Sequence, residues 1–166
     1  MARSDHGRPW MAQVLALSKV DFPPDHRQPR PVRFAVAALI AVVGSLAADA
    51  VLVAIGTALV PATKGYVHFR FSDYGKLTII GVLVACMAWP VVTWISSVPR
   101  WLFLRLAVIV TLVLWAPDLW ILVKGEPVKA VLVLMAMHVA IAVVTYVALV
   151  HVSPPRQSKE REPLGA

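Results

Sequence analysis

The stretch LVLWAPDLWILVKGEPVKAVLVLM, residues 112–135, decides the fold. An apolar run closes at Val123, the turn-forming residues KGEP follow, and a second apolar run opens at Val128. Hydrocarbon offers backbone N–H and C=O groups no partner, so runs this apolar satisfy themselves as helices. So short a connection sends the second helix back along the first. Extended in both directions, the pair covers Trp101–Val123 and Val128–Val150. Each is long enough to cross a hydrocarbon core of about 30 Å at about 1.5 Å per residue.

Two further runs lie upstream, Phe34–Val60, stopped by Pro61, and Leu77–Ile95. The connection 61–76 is the only loop of any size, whereas SSVPR at 96–100 is tight. The expectation is an all-α, integral membrane, four-helix up-down-up-down bundle over residues 34–151. A flexible basic tail precedes it at 1–33, and a second flexible tail follows at 152–166. Composition agrees. The chain of 166 residues is 59% hydrophobic and only 15% charged, with mean hydropathy +0.74. Soluble domains run nearer half apolar and a quarter charged.

A net charge of +7 invites a nucleic-acid reading, but the positions of the charges argue against it. Arg3, Arg8, Lys19, Arg27, Arg30 and Arg33 crowd the N-terminal tail, Arg100 and Arg105 the second turn, and Arg156, Lys159 and Arg161 the C-terminal tail. Lys64, Arg70, Lys76, Lys124 and Lys129 fall on the other side of the bundle. Eleven against five places both termini in the cytoplasm by the positive-inside rule, in a multi-pass protein of the plasma membrane. The partners expected are the lipid bilayer and, beyond it, other membrane proteins or a second copy, with no nucleic acid. No basic patch interleaved with aromatics accompanies the charges. Trp89, Trp94, Trp101, Trp115 and Trp120 lie towards span ends, as interfacial aromatics do.

Within the first tail, WMAQVLALSKV (10–20) puts Trp10, Val14 and Leu17 on one helical face. That stripe suits either a short helix on the membrane surface or disordered tail. The first long apolar run begins after Arg33 and exceeds a signal-peptide h-region, so no cleavable leader is expected. One cysteine, Cys86, excludes paired-thiol chemistry. No cofactor or metal site is expected, and nucleotide-binding, metalloprotease and serine-hydrolase motifs are missing. In GSLAADAVLVAIG (44–56), Gly44 with Ala48 and Ser45 with Asp49 form a small-residue face suited to close helix contact.

Three ionisable side chains fall inside spans: Asp49, Asp118 and His138. Such residues usually face the bundle interior and are functional candidates. Asp49 lies about 16 Å, and His138 about 15 Å, from the loop end of their spans, so the two are expected to meet. Asp118 is only about 8 Å from its span end, beside Pro117. A proline frees the carbonyl four residues earlier, so Pro117 either kinks the span around a wetter site or marks an early helix end. Structural and functional readings stand side by side: buried polar residues glue helices together, and an exchanging carboxylate couples protons.

SLAADAVLVAIG, WAPDLW and MAMHVAIAV together resemble a family of small four-span actinobacterial membrane proteins of unknown function, over roughly residues 34–150. The proline near the end of span three and the histidine of span four are its best marks. The resemblance implies architecture and membrane location, and relatives with an uncharged amide at the position of Asp49. It brings no activity. Small multidrug transporters share the size, the four spans and an acid in span one, but their acid is a glutamate and their other motifs differ. The function expected is a non-enzymatic accessory or assembly subunit. The alternative is a small proton-coupled transporter using Asp49, Asp118 and His138.

Overall fold

The computed structural model describes residues 13–14, 26–61 and 65–157. Its elements are helices α1 (Pro31–Leu59), α2 (Phe71–Ile95), α3 (Pro99–Val123) and α4 (Val128–Val147), the last running on through a π-helical turn, Ala148–Val152. A 3-10 turn, Val67–Phe69, precedes α2. Strands β1 (His26–Arg27) and β2 (Arg156–Gln157) pair antiparallel as a two-residue ladder. The molecule is an all-α four-helix bundle, and its four helices are each long and apolar enough to cross a membrane.

Local chemistry sets the boundaries. Pro31 and Pro99 stand in the first turns of α1 and α3, where a missing N–H costs nothing. Gly125, at φ +96°, stops α3. Its N–H bonds the Leu122 carbonyl at 3.1 Å and that of Glu126 the Ile121 carbonyl at 3.2 Å, a left-handed cap that favours glycine. Pro127 then opens α4. Between α2 and α3, the buried Ser96 accepts the Val98 N–H at 3.1 Å through its hydroxyl.

The small-residue face of α1 points inward. Ala37, Ala41, Ser45 and Asp49, each one turn from the last, are all buried, as is Gly56. A Cβ at Gly44 would sit 2.9 Å from Val144, and one at Gly56 2.9 Å from Val133. The pattern is therefore spent on the contact between α1 and α4, where bare backbone lets the helices approach. α1 packs closely on α4 and α2, and α3 on α4; α2 and α3, though consecutive, meet less.

Several expectations need correcting. α2 starts at Phe71, six residues before Leu77. Charged Asp73 and Lys76 hide its first turns in a hydropathy reading, but Asp73 suits a helix N-terminus and Gly75 and Thr78 are already buried. Nor are the tails featureless up to the first and last spans. α1 begins at Pro31, and the β1–β2 ladder ties residues 26–27 to 156–157. Around that ladder Arg156 Nε donates to the Gln28 carbonyl at 2.9 Å, and Gln28 Nε2 to the Pro90 carbonyl at 3.2 Å. Both ends of the described chain thus sit at one end of the bundle, the terminal end; the 65–70 segment and the 124–127 turn form the opposite, loop end. Trp89 is not interfacial. It is fully buried, donates to the Ser153 carbonyl at 2.9 Å and meets the Phe103 ring edge-on at 5.1 Å. The surface-helix reading of residues 10–20 falls outside the described residues, apart from Gln13 and Val14.

Candidate functional site

Each of the three ionisable span residues turns towards the protein. Asp49 is fully buried, Asp118 nearly so, and His138 is half-buried. Their partners differ from those expected. α1 and α4 are close neighbours, as the joining of Asp49 to His138 requires. Yet His138 Nδ1 lies 3.1 Å from Asp118 Oδ2, and Asp49 Oδ2 accepts a 2.6 Å hydrogen bond from Thr78.

Side-chain direction explains the exchange. A helical side chain leans towards its own N-terminus. α4 begins at the loop end, so His138 leans that way, and its Nδ1 sits 3.0 Å from the Leu134 carbonyl one turn nearer that end. α3 runs the other way, so Asp118 leans back towards the bundle middle. The two lean towards each other and close the depth difference of about 7 Å that counting along the helices gives.

Pro117 does not end α3, which continues to Val123. The helix-end reading of WAPDLW is therefore wrong, and Asp118 lies within the helix with its carboxylate buried against the protein. Two turns from the helix end, Trp115 Nε1 donates to the Met135 carbonyl at 3.2 Å and holds α3 to α4 beside the pair.

The site has two halves. In the first, Asp49 bridges α1 to α2 through Thr78, with Ser45 one turn away. Asp49 Oδ1 and Ser45 Oγ are buried without a hydrogen-bond partner among the described residues. In the second, Asp118 and His138 bridge α3 to α4. The Nδ1 of His138 lies near two acceptors, the Leu134 carbonyl at 3.0 Å and the Asp118 carboxyl at 3.1 Å, and Asp118 Oδ2 is buried with no hydrogen-bond partner among the described residues.

Over the second half stands the 65–70 segment. Tyr66 meets His68 and Phe69 edge-on, each at 5.2 Å between ring centres, and Phe69 is buried. Burial and the neighbouring Glu126 carboxylate, with Asp118 behind it, hold the Tyr66 phenol above its ordinary range. It is a neutral group over the pair.

Thr78, Tyr66 and His68 escape a sequence reading. Thr78 looks like the second residue of a span when α2 is started at Leu77. Tyr66 and His68 sit in a loop whose fold only the structure gives. Chemically, the carboxyl–imidazole pair can hold or pass a proton, and the Asp49–Thr78 bond can fix two helices. Among the described residues no group of three His, Cys, Asp or Glu side chains is placed to hold a metal ion. Cys86 is buried with a free thiol in the core beside Trp89 and Val82. No family model, curated protein or solved structure matches this chain.

Proposed function

We propose that the chain is a multi-pass plasma-membrane protein with both termini in the cytoplasm, serving as a non-enzymatic accessory or assembly subunit. One observation carries the reading: Asp49 is wholly enclosed and tied across to Thr78. Each bridge joins two helices, Asp49 with Thr78 fixing α1 to α2 and Asp118 with His138 fixing α3 to α4. Polar residues used this way set the register of a bundle. The resemblance to four-span proteins of unknown function supports the architecture and location. Affinity purification of the tagged native protein from its membrane tests the role. A stoichiometric membrane-protein companion is expected, and a chain that emerges alone from every mild detergent contradicts it.

The second reading, a small proton-coupled transporter, draws support from the Asp118–His138 pair. The imidazole side chain keeps 26% of its surface outside the protein packing, so the pair is not sealed within the bundle. In proteoliposomes with a pH-sensitive dye inside, this reading expects proton flux that His138→Gln abolishes. The accessory reading expects no flux above protein-free vesicles.

A further inference from the structure

Along the flank of the bundle, α3 and α4 leave an open groove of about 270 Å³. Leu104, Val108, Leu112 and Trp115 form one wall, and Val139 and Val143 part of the other. It starts on the terminal-end half of both helices. From Leu104 to Trp115 it follows about 16 Å of helix, close to the half-thickness of a hydrocarbon core of about 30 Å.

The mouth of the groove has a different chemistry. Arg100 precedes Leu104 by one turn and Ala107 by two, and Trp101 stands in the same relation to Leu104 and Val108. Residues at such spacings share a helix face, so the groove wall continues into an arginine and an indole. The Tyr146 hydroxyl, at the groove end, donates to the Arg100 carbonyl at 3.4 Å and seats this first turn against α4. Arg105, next to the groove residue Leu104 in the chain, lays its guanidinium 3.3 Å from the centre of the Trp101 ring, towards the same end. The same end of the bundle carries Arg27, Arg30, Arg33 and Arg156 and, among the described residues, no carboxylate; the carboxylates of the tails, Asp21, Asp25, Glu160 and Glu162 among them, fall outside those residues. Asp73 and Glu126 lie at the loop end.

We propose that this groove is a binding site for one anionic phospholipid of the leaflet on the terminal side, with an acyl chain along α3 and α4 and the phosphate on Arg100 and Arg105. An apolar slot that ends in guanidinium groups matches the two halves of such a lipid. A planar guanidinium pairs with phosphate through two N–H groups, and each basic residue near the surface favours an anionic lipid by about fivefold. The proposal rests on the chain's spanning a membrane, but not on its role there.

Native mass spectrometry of the full-length protein in mild detergent tests it. The probe is an equimolar mixture of phosphatidylglycerol and phosphatidylcholine with identical acyl chains. The wild-type protein is expected to retain phosphatidylglycerol selectively, and Arg100→Gln with Arg105→Gln to lower that preference about twenty-five-fold. Restoring charge with Arg100→Lys and Arg105→Lys should recover most of it. Ala142→Trp, which fills the groove, should release both lipids. Soluble glycerol phosphate at millimolar excess should not displace the lipid, since it brings no chain. An unchanged lipid preference in the double glutamine variant overturns the proposal, as does full displacement by glycerol phosphate. A chain that does not enter bilayers would fail earlier and visibly, because reconstituted vesicles would float without it.

Discussion

Asp118 shows how much a residue's surroundings change its meaning. Counted from the end of its span, it lies near interfacial water, and removing its charge should spare the fold. Its enclosure beside His138 reverses that expectation. A buried charge left without its partner costs about 3–5 kcal/mol. Asp118→Leu and His138→Leu should each lower thermal stability in detergent, while the double variant should lose less than the sum of the two, by at least about 1 kcal/mol. Additive losses would mean the two groups do not interact. Thr78→Val tests the other bridge on a smaller scale. Hydrogen bonds between membrane helices average about 0.6 kcal/mol, so a slight loss of stability is expected, and Asp49→Asn, which keeps an acceptor for Thr78, should be milder than Asp49→Leu. All three ionisable residues were legible from sequence as oddities in apolar runs. Their partners were not, because partnership depends on the lean of side chains and on where α2 begins.

At the scale of the element, the contact between α1 and α4 depends on missing side chains. Val133 meets the bare face of Gly56 with three side-chain atoms between 2.9 and 3.7 Å of where a Cβ would be, and a β-branched residue has little freedom to turn away. Gly56→Leu should therefore force the helices apart and cost about 1–3 kcal/mol. Gly81→Leu on α2, where nothing lies within 4 Å, should be nearly neutral and serves as the control. Equal effects would show that helix propensity, not packing, governs both sites. The helices themselves were legible because length and hydropathy suffice to mark a span, and KGEP carries its own stop signal in Gly125. What hydropathy hid was the first turns of α2, where Lys76 is exposed and Asp73 half-buried on a helix already packed at Gly75 and Thr78. Trp89 was misjudged for a related reason: an indole near a span end satisfies its N–H as well on a returning chain, at Ser153, as on interfacial water.

On the scale of the whole molecule, four long helices and a ladder between residues 26–27 and 156–157 put both described chain ends at one end of the bundle. By the positive-inside rule, the orientation proposed above puts this end on the cytoplasmic side. The proposed orientation rests on sequence alone, while the clasp that holds the ends together could not be read there, since it is made by hydrogen bonds among Gln28, Pro90 and Arg156. The most direct test of a four-span chain with both ends inside is single-cysteine labelling in intact cells. Cysteines placed in turn at Ser4, Ser72 and Ser158 on a Cys86→Ser background are treated with an impermeant maleimide before and after permeabilisation. Ser72, exposed in the first turn of α2, should label in intact cells, whereas positions 4 and 158 should label only once the membrane is opened. Labelling of either tail in intact cells, or protection of position 72, would contradict the account.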